Sequence, residues 1–250
     1  MTLAVIGGTG FGAFAGLTKT QDRKISTAFG DAELQTGQLQ GKPLIFLPRH
    51  GMPARKLPHE INYRANLAAL KELGATSVLA VTAVGTVDPE LKVPALVIPD
   101  QIIDYTFGRA QTIFTETLQH IDFSEPYDRQ LRGRVLKAVE QAQTNMPEMV
   151  VVEEGVYGCT QGPRLESAAE IKRLGRDGCT IVGMTAMPEA ALARELELAY
   201  AGLSVTVNPG AGLTREDITL SAIEAAMHEG MGWVLAAVIA LLADDEPQSD

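Results

Sequence analysis

Three short stretches of this 250-residue chain offer groups suited to holding an anion. Gly7-Gly8-Thr9-Gly10 follows the apolar run Leu3 to Ile6. Glycines after a buried strand let the backbone approach an anion closely, and Thr9 adds a hydroxyl donor. A plain turn is the alternative, and Gly8-Thr9-Gly10-Phe11-Gly12-Ala13 also fits the dinucleotide pattern G-x-G-x-x-A. Pro48-Arg49-His50-Gly51 follows a second run, Leu44 to Leu47. Arg49 presents a planar fork of donors and His50 a ring or backbone nitrogen, unless the two form only a surface pair at a loop start. Val81-Thr82-Ala83-Val84-Gly85 closes a third run. The Thr82 hydroxyl and Ala83 N–H would flank the same anion, with small residues leaving room for a sugar; an ordinary buried strand reads the same way. His120, in a loop-like segment ending at Tyr127, is a lone histidine, a type that is usually solvated or structurally satisfied.

Composition narrows the partners. The formal net charge is −10, which argues against a nucleic-acid or polyanionic-surface binder, so a phosphate site would have to be local. Cys159 and Cys179 are too few for a disulfide framework and read as small core residues in a reducing compartment. No ligand set for a metal is evident. The first residues lack a basic region and run straight into glycines, unlike a secretory leader. No membrane-length run is free of interruption, because the apolar C-terminal stretch carries Gly230, Gly232 and early charges. A cytoplasmic protein without membrane or nucleic-acid partners is expected.

The elements that must position these groups alternate between strand and helix. Strands are expected at Leu3–Ile6, across hairpins between Ile25 and Leu47, and at Ser77–Val84, Ala95–Ile98, Met149–Val156, Thr180–Met184 and Tyr200–Val207. Helices are expected at Ile61–Leu73, Leu131–Ala142, Ser167–Leu174, Pro188–Leu196 and from Thr219 to about Leu242, with Thr219 or Ser221 as N-cap. Hydrophobic residues at 46% can fill one large core. The class is α/β: one domain over residues 1–243, then an acidic frayed tail at 244–250. The motifs fall at strand C-terminal ends, where open α/β sheets bind ligands.

The ordered set Gly-Gly-Thr-Gly, Arg49-His50-Gly51, Asn62-Tyr63-Arg64-Ala65-Asn66, Gly162-Pro163-Arg164 and Met187-Pro188-Glu189 resembles the methylthioadenosine phosphorylase branch of the trimeric purine nucleoside phosphorylase family. The likeness runs from about Leu3 to the helix after Thr219. It implies a mixed, partly closed β-sheet wrapped by helices, a homotrimer, and no metal or organic cofactor, with inorganic phosphate as co-substrate. By family position, Thr9, Arg49, His50, Thr82 and Thr185 would hold phosphate. Met184 and Ala83 would line the ribose, and His120 would reach a neighbouring subunit's nucleoside. Leu165 stands where an aromatic residue usually covers the base.

Departures from that branch point to the substrate. Asn208 replaces an Asp, Gly210 replaces a second Asp, and Glu166 replaces a small hydroxyl residue, which is the pattern of the 6-oxopurine enzymes. Ionised Glu166 can accept from N1–H, while Asn208 donates to O6 and accepts from N7–H. Leu220 stands where those enzymes carry a histidine for the 5′-hydroxyl, and suits a methylthio group. The resemblance thus implies phosphorolysis of S-methyl-5′-thioinosine to hypoxanthine and 5-methylthioribose 1-phosphate, with Asn208 as the catalytic group. Methylthioadenosine phosphorolysis and general 6-oxopurine nucleoside phosphorolysis are the near alternatives. A nicotinamide-dependent oxidoreductase, read from the N-terminal glycines, and a non-catalytic ligand-binding module are the distant ones.

Overall fold

A computed structural model describes residues 2–8 and 14–244. Its centre is a run of apolar strands that bury both faces. β1 (Leu3–Gly7) lies between β4 (Lys42–Pro48) and β5 (Ser77–Thr86), parallel to both. Along β1, Leu3 and Val5 enter one core while Ala4 and Ile6 enter another; along β5, Leu79 and Val81 alternate with Val78 and Ala80 in the same way. Period-two alternation of two apolar sets requires cover on both sides. On the first face lie α2 (Arg129–Asn145) and α5 (Leu220–Ala243), contributing Leu131, Val135, Trp233 and Val234. On the second lie α1 (Tyr63–Glu72) and α4 (Ala186–Glu195), contributing Leu67, Leu70, Ala190 and Leu192.

The sheet branches at β5. β11 (Ala199–Pro209) runs parallel along the length of β5. On the other edge β1 covers only Ser77 to Ala80, and β10 (Ile181–Gly183) pairs antiparallel with Gly85 and Thr86. The divergence opens the sheet beside the C-terminal half of β5, where Thr82, Ala83 and Val84 lie. β10 continues the path to β9 (Val156–Cys159) and β7 (Gln101–Asp104), while β6 (Leu96–Val97) joins β11 to β8 (Val151–Val152). The other end of the path is the hairpin of β2 (Thr18–Thr27) and β3 (Gly30–Leu39). α3 (Ala168–Arg176) starts with a reciprocal cap between Ser167 and Glu170.

Several expected bounds change. The single strand expected over Met149–Val156 is two, β8 and β9, separated by Glu153-Glu154-Gly155. β2 begins well before Ile25 and is almost wholly exposed. α5 is long and apolar enough to cross a membrane by length and composition, contrary to expectation, with hydropathy 1.6 over its 18-residue window. Here it packs on the sheet: a side chain at Gly230 would lie 2.3 Å from Val205. Thr219 caps α5, accepting from the Ala222 N–H. The acidic tail beyond Asp244 lies outside the described residues.

Candidate active site

Nine of the residues singled out in the sequence line one cavity of about 220 Å³ at the opening of the sheet. Arg49 and His50 come from the end of β4, Thr82 and Ala83 from β5, Met184 and Thr185 from the turn between β10 and α4. Leu165 and Glu166 come from the loop before α3, and Asn208 from the end of β11. Two larger cavities flank it, one sharing Glu166 and the other sharing Asn208. Convergence of the chemistry, rather than size, makes the central one the candidate site.

The anion side is buried and prearranged. Arg49, 1% exposed, donates from Nε and Nη2 to both oxygens of Glu189 at 2.7 and 2.8 Å, and from Nη1 to the Val81 carbonyl at 3.1 Å. Glu189 also accepts from the Tyr200 hydroxyl at 3.0 Å. Burial opposes the Arg49 charge, but Glu189 more than offsets it, and the guanidinium pKa is raised. Five N–H donors less these three leave two for an anion. Gly8 is a glycine by close approach: a Cβ there would sit 3.1 Å from Arg49 Nη1. Thr82 Oγ1 shares a 2.8 Å hydrogen bond with Ser204 Oγ of β11. Thr185 stands at the N-cap of α4 without giving it a side-chain cap bond. Behind it, the Tyr157 phenol fills the space where a Gly183 side chain would go, and burial pushes its pKa up.

His50 Nδ1 lies 2.8 Å from the Lys56 carbonyl. A carbonyl only accepts, so Nδ1 carries a proton and the neutral ring presents Nε2 as an acceptor. Burial, reinforced by the Arg49 charge, lowers the His50 pKa against the opposing Lys56 bond.

The base side is more open. Glu166 is half-buried and accepts from Thr160 Oγ1 at 2.6 Å. Leu165 is exposed at the rim. Asn208, 9% exposed, follows a register shift in the β5–β11 pairing, where Val207 is the extra residue. Such an irregularity re-aims the next side chain. Asn208 Nδ2 donates to the Pro209 carbonyl at 2.8 Å, which leaves one N–H and the amide oxygen uncommitted by that bond. A carboxylate and a carboxamide lining the same cavity as hydroxyl and guanidinium donors can seat a polar heterocycle beside an oxyanion.

Other expected positions fall elsewhere. Leu220 is 78% exposed and outside the cavity, because the first turn of α5 projects into solvent. Ile223 and Met227, one and two turns on, supply the apolar lining instead, and sequence reasoning missed them. Gly210 does not line the cavity; a Cβ there would meet the Thr86 carbonyl at 2.4 Å. His120 is exposed on a loop away from the cavity. Thr9 lies outside the described residues. Glu189, quoted in the sequence only as part of a motif, is the counter-ion of Arg49. Among the described residues no cluster of three or more His, Cys, Asp or Glu could hold a metal ion. The Cys159 thiol is buried, which pushes its pKa up to about 12.

Known proteins align over the same extent. Residues 2–243 match the Phosphorylase superfamily. A probable S-methyl-5′-thioinosine phosphorylase of Pseudomonas syringae is 48% identical over 96% of this chain and 98% of that protein. A 6-oxopurine nucleoside phosphorylase of Pyrococcus furiosus is 36% identical over 96% and 91% of the two chains. The methylthioadenosine phosphorylase of Schistosoma mansoni, solved with adenine, superposes with a TM-score of 0.89 at 27% identity, covering 97% and 91%. With β-strand ends, donor set and full-length matches in agreement, this chain belongs to the phosphorylase superfamily and is an enzyme of the nucleoside phosphorylase type.

Proposed function

We propose that the protein phosphorolyses S-methyl-5′-thioinosine, giving hypoxanthine and 5-methylthioribose 1-phosphate. The observation that carries this reading is Glu166 and Asn208 lining the same cavity as Arg49, Thr82 and Thr185. An acid and a carboxamide complement N1–H, O6 and N7–H of a 6-oxopurine. An adenine ring would bring the N1 lone pair against the Glu166 carboxylate, and an unmet acceptor costs about 1–3 kcal/mol when buried and neutral, and more when it is charged. The 48% identity to a protein named for this substrate supports the same choice.

In this reading phosphate lies on Arg49, the backbone N–H of His50, Thr82, Thr185 and Thr9, against the sugar face. A phosphate oxygen bonds to C1′ as the C1′–N9 bond breaks, and the bonding pair passes into the purine. Holding both reactants together supplies roughly 7–11 kcal/mol of effective concentration. The bound anion offsets the developing sugar cation. As the base gains charge N7 takes up a proton from solvent, and Asn208 Oδ1 accepts from the N7–H so formed, so its contribution grows in the transition state. Glu166 fixes the ring, Met184 and Ala83 line the sugar, and Leu165 covers part of the base. Ile223 and Met227 now carry the apolar 5′ end that Leu220 does not reach. The protein works in the cytoplasm as a homotrimer, with phosphate as co-substrate and neither metal nor organic cofactor. His120 reaches across the trimer interface towards a neighbouring subunit's nucleoside.

The test is a product assay. Purified protein, methylthioinosine and phosphate should release hypoxanthine, and omitting phosphate should abolish it. Hypoxanthine release indifferent to phosphate, or none at all, overturns the reading. A broader 6-oxopurine nucleoside phosphorylase is favoured only if inosine is turned over as efficiently; the Pyrococcus relative's name gives that reading its standing.

A further inference from the structure

Arg109 lies in the irregular chain between β7 and α2 and is buried, at 8% exposure. Among the described residues no ion pair includes it. Buried charges ordinarily have counter-ions; this one has carbonyls. Nη1 donates to the Met184 carbonyl at 2.8 Å and to that of Met187, and Nη2 to those of Gln161 at 3.0 Å and Thr160 at 3.4 Å. The Tyr63 ring lies 5.7 Å from the guanidinium carbon.

Those carbonyls belong to two different segments that line the cavity. Thr160 begins the loop that ends in Glu166, and its hydroxyl holds that carboxylate at 2.6 Å. Met184 and Met187 bracket the turn that carries Thr185. The two segments also touch directly, since a side chain at Gly162 would collide with Met184 Sδ at 2.4 Å. We propose that Arg109 is a positioning residue that sets the distance between the base-reading carboxylate and the phosphate-holding hydroxyl. This rests on the function proposed above for both groups. A planar five-donor fork can span fixed carbonyls that lie well apart, whereas an ammonium offers three donors on a single atom. Misplacement by about 1 Å far from the chemistry can cost on the order of 10²-fold in rate.

The experiment compares wild type, Arg109→Met, Arg109→Lys and Thr160→Val, each assayed below its own unfolding temperature. For folded Arg109→Met, KM for phosphate and KM for nucleoside should rise together, with kcat/KM down about 10²-fold. Arg109→Lys should recover only part of this. Thr160→Val should raise the nucleoside KM alone. Backbone hydrogen exchange in wild type and Arg109→Lys should show 160–166 and 184–187 loosening together in the variant. Should Arg109→Met not fold, Arg109→Lys carries the same two readouts. Unchanged KM values in a folded Arg109 variant, or exchange altered in neither loop or only one, overturn the proposal. Wild type without phosphorolysis overturns the functional reading instead, and the exchange measurement still decides whether Arg109 clamps the two loops.

Discussion

On the proposed anion side of the cavity, Arg49, His50 and Thr82 each already have a protein partner and lie within or just after central strands. On the base side, Glu166 and Leu165 ride a loop, and Asn208 follows an irregularity in β11. The first region is fixed by folding. The second is more exposed and has more of its hydrogen-bonding capacity left for a ligand. In the proposed function phosphate is the same anion whatever the nucleoside, so a rigid site would suit it. The base would decide specificity, and its proposed readers sit where a few substitutions can change them without disturbing the core.

That contrast predicts where damage appears. Glu189→Ala should destabilise the fold by about 3–5 kcal/mol, because it leaves Arg49 buried and uncompensated; denaturant unfolding measures this, and a loss near zero would mean the pair is not held as described. Asn208→Ala should lower kcat about 10²–10³-fold, as for other donors and acceptors that act on developing charge, with little change in stability. An unaltered kcat removes Asn208 from the mechanism. Glu166→Ser with Asn208→Asp should move kcat/KM towards methylthioadenosine, and a static ratio would count against the base assignment. Ser204→Ala, which leaves the buried Thr82 hydroxyl without its partner, should cost about 1–3 kcal/mol and raise the phosphate KM.

The smallest effect is a pH slope. The folded His50 pKa is depressed, so the unfolded chain takes up its proton first as pH falls. Stability should therefore decline from about pH 6.5 down to the folded value, then level, as far as this group is concerned. His50→Gln should remove that part of the slope; an identical pH profile would show that the ring is not buried neutral.

How much of this was legible depended on whether position along an element or depth in the fold decided the matter. Arg49, just after β4, and Thr82, in the C-terminal half of β5, belong to runs that their glycine and proline neighbours expose in the sequence, whereas Glu166 and Asn208 are legible only through the family resemblance. Leu220 failed because helical spacing gives a face but not where a helix leaves the sheet. Leu220, Ser221 and Ala222 are all in solvent, and Ile223 is the first residue to reach the cavity. The early part of β2 is polar and exposed on both faces, so it has no alternation to read. Glu189 and Arg109 look like surface charges in sequence; only the packing of α4 and of the loop before α2 buries them.

The most direct measurement is the ratio of kcat/KM for methylthioinosine to that for methylthioadenosine in the unmodified protein with phosphate. A pocket built around an N1–H bond predicts a ratio on the order of 10⁴ or more, with hypoxanthine as the product. Equal efficiencies, or preference for the amino-purine, would contradict a carbonyl-bearing ring between Glu166 and Asn208.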